Sequence, residues 1–417
     1  MRTRSTRLEA AALALALTLA TTAVHAHEPG ADALPEPPGW QLGGALAVVL
    51  PAADQRWPAA NWSGVLVQGS APPDQRHGLR LEHATLDLAA RLNPWFGVQL
   101  AAGWHDRDDA HLEAAQLQGR LPAWGGELSA MLGRDTVRLG AVIDGAGHFD
   151  RFSQAPLAKR AVFDDQWVDD GLRVGWSPGP GVDPDADVNG LRGVEIGLWR
   201  GRAFPGDAAG PAVPSLHLHA GWGHLDAHLG LARFEPEARG APALSLGQTG
   251  HVHGALDCRR SLQQRVCFDG RSDVLGASLQ WEPEAADWTL ALAGLLRRER
   301  GTLYATSGSA ALDTTLAGVW ADAHWRPAAR WTGSARVERL VPKNRLTGVG
   351  TALLARDAGL ADGAPVQRLT MALAYELQPG LELALEAGRE RADGGADVSH
   401  IALRALWRSP RWLGGSW

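Results

Sequence analysis

The chain has 417 residues, of which 45% are hydrophobic and 21% are charged, and it contains 50 Gly, 25 Pro and 18 Trp. This composition excludes an intrinsically disordered chain and a collagen-like one. The formal net charge of -6 argues against non-specific nucleic-acid binding, which requires an excess of basic residues.

Residues 1–26 have the features of a secretory signal peptide. Three arginines precede an apolar run from Ala10 to Val24, and Val24-His25-Ala26 provides a small-residue cleavage site. The run is too short for a membrane-spanning helix, and no later segment is long and apolar enough for one. We therefore expect an exported protein, with a mobile, Pro-rich mature N-terminus at 27–42.

Between residues 43 and 408, many segments have apolar side chains at every second position, and loops or turns separate these segments. Leu216, Leu218, Ala220 and Trp222 alternate with polar or small residues, and Leu369 to Leu377 follow the same pattern. A period of two predicts β-strands. Soluble β-sandwiches and membrane barrels both alternate in this way, so the connections must distinguish the two architectures.

The connections fall into two alternating classes. Seven are short or turn-like, at 93–94, 121–124, 178–190, 223–224, 283–286, 326–330 and 378–380. Eight are longer, at roughly 52–78, 105–110, 140–165, 203–213, 235–272, 300–313, 342–365 and 392–397. A closed barrel with both termini in the periplasm has one more loop than it has turns, so the pattern predicts about 16 strands in an all-β, antiparallel transmembrane barrel. Residues 409–417 would form a C-terminal tail.

Tryptophan positions support this interpretation, because Trp prefers the boundary between membrane and water. Half of the tryptophans lie beside the short turns or at the end of the last strand: Trp95, Trp124, Trp176, Trp222, Trp281, Trp288, Trp325, Trp331 and Trp407. Tryptophans in the core of a soluble protein would not be concentrated beside one class of turn. The sequence therefore predicts an aromatic girdle in the outer membrane of a Gram-negative cell.

The only two cysteines, Cys258 and Cys267, lie nine positions apart. In an exported chain we expect them to form one local disulfide. Such a small ring stabilises the fold by about 2.7 kcal/mol at most, so it fixes a loop rather than the barrel.

The segment from Leu86 to Trp176 resembles a porin-type outer-membrane family of proteobacteria that is distantly similar to phosphate-selective porins. The motifs that carry the resemblance are Pro-Leu-Ala-x-Arg-Ala-x-Phe at 156–163 and Asp-Asp-Gly-x-x-x-x-Trp at 169–176. The resemblance implies a monomeric or trimeric diffusion barrel; some family members are labelled zinc-regulated or receptor-like. Where members have a His-x-His pair, this chain has only His148, which weakens the argument for a metal site there.

The third loop, 140–165, is the main candidate site, because an inward-folded third loop narrows an otherwise unselective lumen. We expect a pore constriction formed by His148, Asp150, Arg151, Lys159, Arg160, Asp164, Asp165 and Arg134. The alternative is that these residues form ion pairs that hold the loop to the wall, at about 0–1 kcal/mol for each surface pair.

Strand parity predicts a lumen of mixed charge. Its charged side chains would be Asp87, Arg91, Arg120, Arg336, Glu338, Glu382, Glu386 and Arg404. A ladder of basic residues is not apparent, so the sequence does not support phosphate selectivity.

A second candidate site follows from the register of one hairpin. If Gly223-His224 is a two-residue turn, Leu218 pairs with Leu229 and His219 with His228. His217, His219 and His228 would then share one face and could bind a metal such as zinc. The alternative is that they are hydrated lumen residues.

The sequence carries no common catalytic motif, such as His-Glu-x-x-His or Gly-x-Ser-x-Gly. We therefore predict a non-enzymatic outer-membrane channel for passive diffusion of small polar solutes or ions, with no cofactor unless zinc binds. Expected partners are outer-membrane lipid, the barrel-assembly machinery and possible homotrimer copies. The alternative is a non-conducting barrel that acts as a metal-binding, adhesin or receptor-like protein.

Overall fold

The computed structural model describes residues 34–416 except 56, 59–74, 106–109, 179–188, 208, 244–255, 284–285, 361–364 and 393–396. The predicted signal peptide, 1–26, lies outside these residues. So do residues 27–33 of the predicted mobile N-terminus.

Strands make up most of the described chain. They are β1 Gly39–Ala53, β2 Arg80–Arg91, β3 Phe96–Trp104, β4 His111–Ala123, β5 Gly126–Thr136, β6 Val168–Pro178, β7 Gly190–Trp199, β8 Val213–Trp222, β9 Leu225–Phe234, β10 Arg239–Pro242, β11 Leu256–Asp257, β12 Arg265–Trp281, β13 Trp288–Ala305, β14 Gly308–Ala328, β15 Trp331–Val349, β16 Val366–Gln378, β17 Leu381–Ala392 and β18 Asp397–Ser416. Three short helices are α1 Ala141–Gly145, α2 Leu157–Phe163 and α3 Thr351–Asp357. No helix in the described ranges is long and apolar enough to cross a membrane.

The sixteen long strands form one closed antiparallel barrel, which confirms the predicted fold class. Each pairs with its neighbours in the sequence, β9 pairs with β12, and β18 closes the barrel on β1. The short strands β10 and β11 belong to the fifth loop, where β10 also pairs with β12. Closure leaves no strand edge unpaired in hydrocarbon, where an unpaired backbone group is costly.

Alternate residues face opposite sides of the wall. Leu132 is 60% exposed on the outer face, whereas its neighbour Met131 is 3% exposed on the inner face. At the rim formed by the short turns, Trp124 is 82% exposed. At the same rim the rings of Trp281 and Trp288 lie 4.5 Å apart. The outer surface therefore has an apolar band and an aromatic rim, as a membrane barrel requires.

Several strands extend beyond the boundaries that the sequence predicts. The predicted loop at 300–313 is a tight hairpin turn at 306–307, and β15 continues to Val349. Leu303 and Leu312, on these extensions, pack with Leu354 of α3 in a second apolar cluster. This cluster explains the extra strand length, because alternating apolar residues can be buried by a loop helix as well as by lipid.

The terminal strands also differ from the prediction. β1 begins at Gly39, inside the predicted mobile segment, and β18 continues to Ser416 through the predicted tail. The pairing shifts between Leu42, opposite Leu413, and Gly44, opposite Ser409. A bulge of this kind interrupts the ladder locally and lets the pairing resume beyond it.

The third loop folds into the barrel and forms an apolar core with the wall. Leu157, Val162 and Phe163 of α2 are buried in one cluster with Leu316 and Trp320 of β14. A fully buried side chain of this size contributes about 1.5–3 kcal/mol. Ala158 lies so close to Gly318 that a Cβ atom there would collide with it, which means that glycine is required for this approach.

In the fifth loop, Cys258 and Cys267 form a disulfide with a Cα–Cα distance of 6.1 Å. Both cysteines are buried beside Ala238, with Tyr304 packed against them. The bridge joins the loop to the start of β12.

Candidate functional site

The third loop is fixed to one side of the lumen by buried charges. Arg336 of β15 lies in the centre of this contact. It donates to Asp150 of the loop at 2.6 Å and to Asp322 of β14 at 2.7 Å. Its guanidinium also lies 4.5 Å from the centroid of the Phe152 ring. One wall arginine thus binds the loop by charge and by cation–π contact.

Glu338 and Arg368 form a second anchor, at the beginning of α2. Glu338 accepts from the Leu157 N–H at 2.6 Å and from Arg368 Nε at 2.6 Å. Arg368 also donates to the Ala155 carbonyl at 2.6 Å. Both side chains are buried, and each neutralises the charge of the other, which would otherwise be costly inside the barrel.

The third anchor lies on β17 and β18. Glu386 accepts from the backbone N–H and the hydroxyl of Ser153, at 2.7 and 2.8 Å. Arg404 donates to the carbonyl of His148 at 2.7 Å and pairs with Glu82 through Nε at 2.8 Å.

The predicted constriction residues are thus largely engaged in holding the loop. Arg151 pairs with Glu382 at 3.4 Å. Lys159 is buried and donates to the Ala146 carbonyl, and burial lowers its pKa. Arg160 contacts Gln154 at 3.3 Å. Burial, together with neighbouring Asp165, raises the pKa of Asp164 well above its usual range.

The position of Arg134 differs from its predicted place in the pore constriction. It shares the outward-facing parity of Leu132 in β5 and pairs with Asp170 of β6 at 3.2 Å. Its own strand therefore directs it away from the lumen, and it cannot belong to a constriction there. The prediction placed it by its proximity to the loop in sequence rather than by its parity.

The opposite side of the lumen contains a cavity of about 350 Å³ near the short turns. Its charged lining comes from β2, β4, β5, β6 and β7 and from one residue just before the third loop, and it consists of Arg91, Arg120, Glu127, Arg138, Arg173, Arg192 and Glu195. Several of these charges are balanced locally: Arg138 pairs with Glu195 at 2.5 Å, and Arg192 pairs with Asp226 at 3.1 Å. Asp87 lies on the same inward face of β2 as Arg91, and it is partly buried.

The hairpin of β8 and β9 has the register that the sequence predicts, with Leu218 opposite Leu229 and His219 opposite His228. On its inner face, the ring of His228 is stacked against those of His217 and His219, at 5.3 and 4.3 Å between centroids. His217 Nε2 lies 3.1 Å from His228 Nδ1, whereas His219 Nε2 lies 3.0 Å from a carboxylate oxygen of Asp226.

A different histidine cluster was missed by the sequence analysis. His83, His105 and His148 each offer a ring nitrogen, and these atoms all lie within 4.8 Å of one another. The three residues come from β2, the end of β3 and the third loop, so no spacing in the sequence reveals them. Only the fold brings them together.

Three solved structures show the extent of the likeness to known proteins. OmpT of Vibrio cholerae in its trimer form matches with a TM-score of 0.52 and 13% identity, covering 88% of this chain and 98% of that one. The outer membrane channel DcaP of Acinetobacter baumannii matches at 0.52 and 10%, covering 90% and 99%. OmpF of Salmonella typhi, in complex with daunomycin, matches at 0.52 and 10%, covering 88% and 97%.

No family model matches the chain, and no curated protein matches it. The porin-type resemblance of the sequence therefore has its support in the fold alone. The closed barrel, its outward-facing leucines and its aromatic rim place the protein in the outer membrane.

Proposed function

We propose that the protein is an outer-membrane channel through which small polar solutes or ions diffuse passively. The observation that carries this proposal is the polar cavity lined by strands β2–β8, on the side of the lumen opposite the anchors of the third loop. A barrel of sixteen strands is wide enough to hold water, and a loop inside it reduces the passage to a size that selects among solutes.

The solute class follows from the lining. Five arginines and two glutamates line the cavity. Acidic partners of Arg138, Arg173 and Arg192, which are Glu195, Asp135 and Asp226, offset much of this positive charge. Such a passage favours small hydrated solutes over apolar ones. Catalysis is not part of this proposal.

Liposome swelling tests this function directly. Vesicles that contain the purified protein should swell in isotonic solutions of small sugars or amino acids, and the rate should fall steeply as solute size increases. Vesicles without protein provide the control. If swelling is absent for every solute although the protein is folded and inserted, the channel proposal is wrong.

We further propose that the barrel assembles as a homotrimer in outer-membrane lipid after delivery by the barrel-assembly machinery. The support is the trimer form of the OmpT structure with a similar fold. Cross-linking in native membranes should give a three-chain species. The alternative function, a non-conducting metal-binding or receptor-like barrel, would be favoured by folded protein that never permits swelling.

A further inference from the structure

The cluster of His83, His105 and His148 lies at the end of the barrel away from the short turns. Nδ1 of His83 is 3.3 Å from Nδ1 of His105. The ring of His148 lies 4.3 Å from the ring of His83 and 4.7 Å from that of His105, between centroids. Because the short turns are periplasmic in such barrels, the cluster is at the extracellular mouth.

Two carboxylates border the three rings. Glu113 of β4 lies 2.8 Å from Nε2 of His83, and Asp165 lies 3.1 Å from Nε2 of His148. The second oxygen of Asp165 is buried and has no hydrogen-bond partner among the residues that the structure describes.

The backbone makes room for this arrangement at Gly103 of β3. A Cβ atom at this position would collide with the carboxylate of Glu113 and would lie 3.0 Å from the ring of His83. Any side chain at residue 103 would therefore displace the groups that border the cluster.

We propose that His83, His105 and His148 bind one divalent transition-metal ion, with zinc as the model case. Imidazole nitrogens are preferred ligands of zinc, copper and nickel. In a tetrahedral site with metal–nitrogen bonds of about 2.1 Å, ligand atoms lie about 3.4 Å apart, close to the separation of His83 and His105. Glu113 and Asp165 orient the rings from outside, as carboxylates do at histidine metal sites.

The bound ion would join three elements that are separate in the chain. His148 belongs to the third loop, whereas His83 and His105 belong to the wall formed by β2 and β3. The ion therefore attaches the loop to a second side of the lumen, in addition to its anchors on β14–β18. Binding does not require solute transport, so this inference goes beyond the proposed function.

The test uses the untagged full chain, purified in detergent and stripped with a chelator. Titration with Zn²⁺ by calorimetry should include one tight site per chain, and Co²⁺ should give the intense visible absorption of a tetrahedral site. His105→Gln and His148→Gln should each weaken that site by about 100-fold or more, and Glu113→Gln should weaken it by about 10- to 100-fold.

His219→Gln is the matched control, because it removes a histidine from the other cluster and should leave the site intact. Heat-modifiable gel mobility establishes that each variant is folded. If only one of His105→Gln and His148→Gln folds, that variant alone is sufficient for the test. Absence of a tight site in the folded wild type would overturn the proposal. So would an unchanged site in a folded ligand variant, or its loss in His219→Gln.

Discussion

The two sides of the lumen use the same alternating sequence pattern for different purposes. On the loop-bearing wall, strands β13–β18, inward charges such as Arg336, Glu338 and Glu386 bind the third loop. On the cavity wall, strands β2–β8, inward charges such as Arg173 and Arg192 line an open space. An inward-facing polar residue therefore indicates a lumen position, but not whether water or protein occupies it.

The comparison also separates stability from permeation. Charges on the loop-bearing wall are buried with their partners, so the loss of one partner leaves an uncompensated charge. On the cavity wall, Arg138 and Arg192 are partly exposed, so the loss of either should change the local potential more than the stability. Substitutions on the loop-bearing wall should therefore change mainly stability, and substitutions on the cavity wall should change mainly permeation.

The largest effect is expected for Arg368→Ala. This change leaves Glu338 buried without its partner at 2.6 Å and removes the bond to the Ala155 carbonyl. The free energy of unfolding should fall by about 3–5 kcal/mol, as when one partner of a buried ion pair is removed. Reversible unfolding by denaturant in detergent micelles measures the change.

Arg389→Ala is the control for Arg368→Ala, because Arg389 pairs with Asp397 on the exposed surface. It removes the same charge and should leave the unfolding curve unchanged. Equal destabilisation by the two variants would contradict the distinction between the two kinds of pair.

A smaller effect is expected for Gly318→Val, which places a side chain where Ala158 of α2 contacts the wall. Overpacking of this kind costs about 1–3 kcal/mol. The helix should move away from β14, and proteolysis of folded protein within the third loop should become faster. Gly333→Val is the control, since the nearest atom to its added Cβ is 3.8 Å away. If the third loop is equally resistant to proteolysis in both variants, the packing of α2 against β14 does not control it and this prediction is wrong.

The smallest effect on stability is expected for Arg138→Gln at the cavity wall. The change removes one partner of Glu195, at 2.5 Å, and takes one positive charge away from the cavity wall. Reversal potentials across a salt gradient should shift towards cation selectivity, with little change in unfolding. Arg233→Gln, which removes an exposed arginine paired with Asp273, should leave the reversal potential unchanged. A shift of the same size in that control would show that the charge effect is not local to the cavity.

Much of the fold was predictable because it depends on local chemistry. Alternation and connection length predicted the strands and their closure, and the turn at Gly223-His224 predicted that Leu218 faces Leu229. Strand length above the membrane was not predictable. Leu303 and Leu312 are buried by α3 rather than by lipid, and this contact depends on tertiary packing.

The candidate site was predictable only in part. The inward-folded third loop follows from its length and position, but its contact residues depend on which side of the lumen it occupies. The cluster of His83, His105 and His148 escaped prediction because its members are distant in the chain. The placement of His217, His219 and His228 on one face could be predicted, because a hairpin register can be read locally.

Single-channel recording in planar bilayers tests the central claim most directly. Purified, folded protein should produce discrete current steps if the polar cavity lined by strands β2–β8 is part of the proposed passage. Loosening of the loop by Arg368→Ala should make the open level noisier or larger. Folded, inserted wild-type protein that carries no current at any voltage would contradict the account.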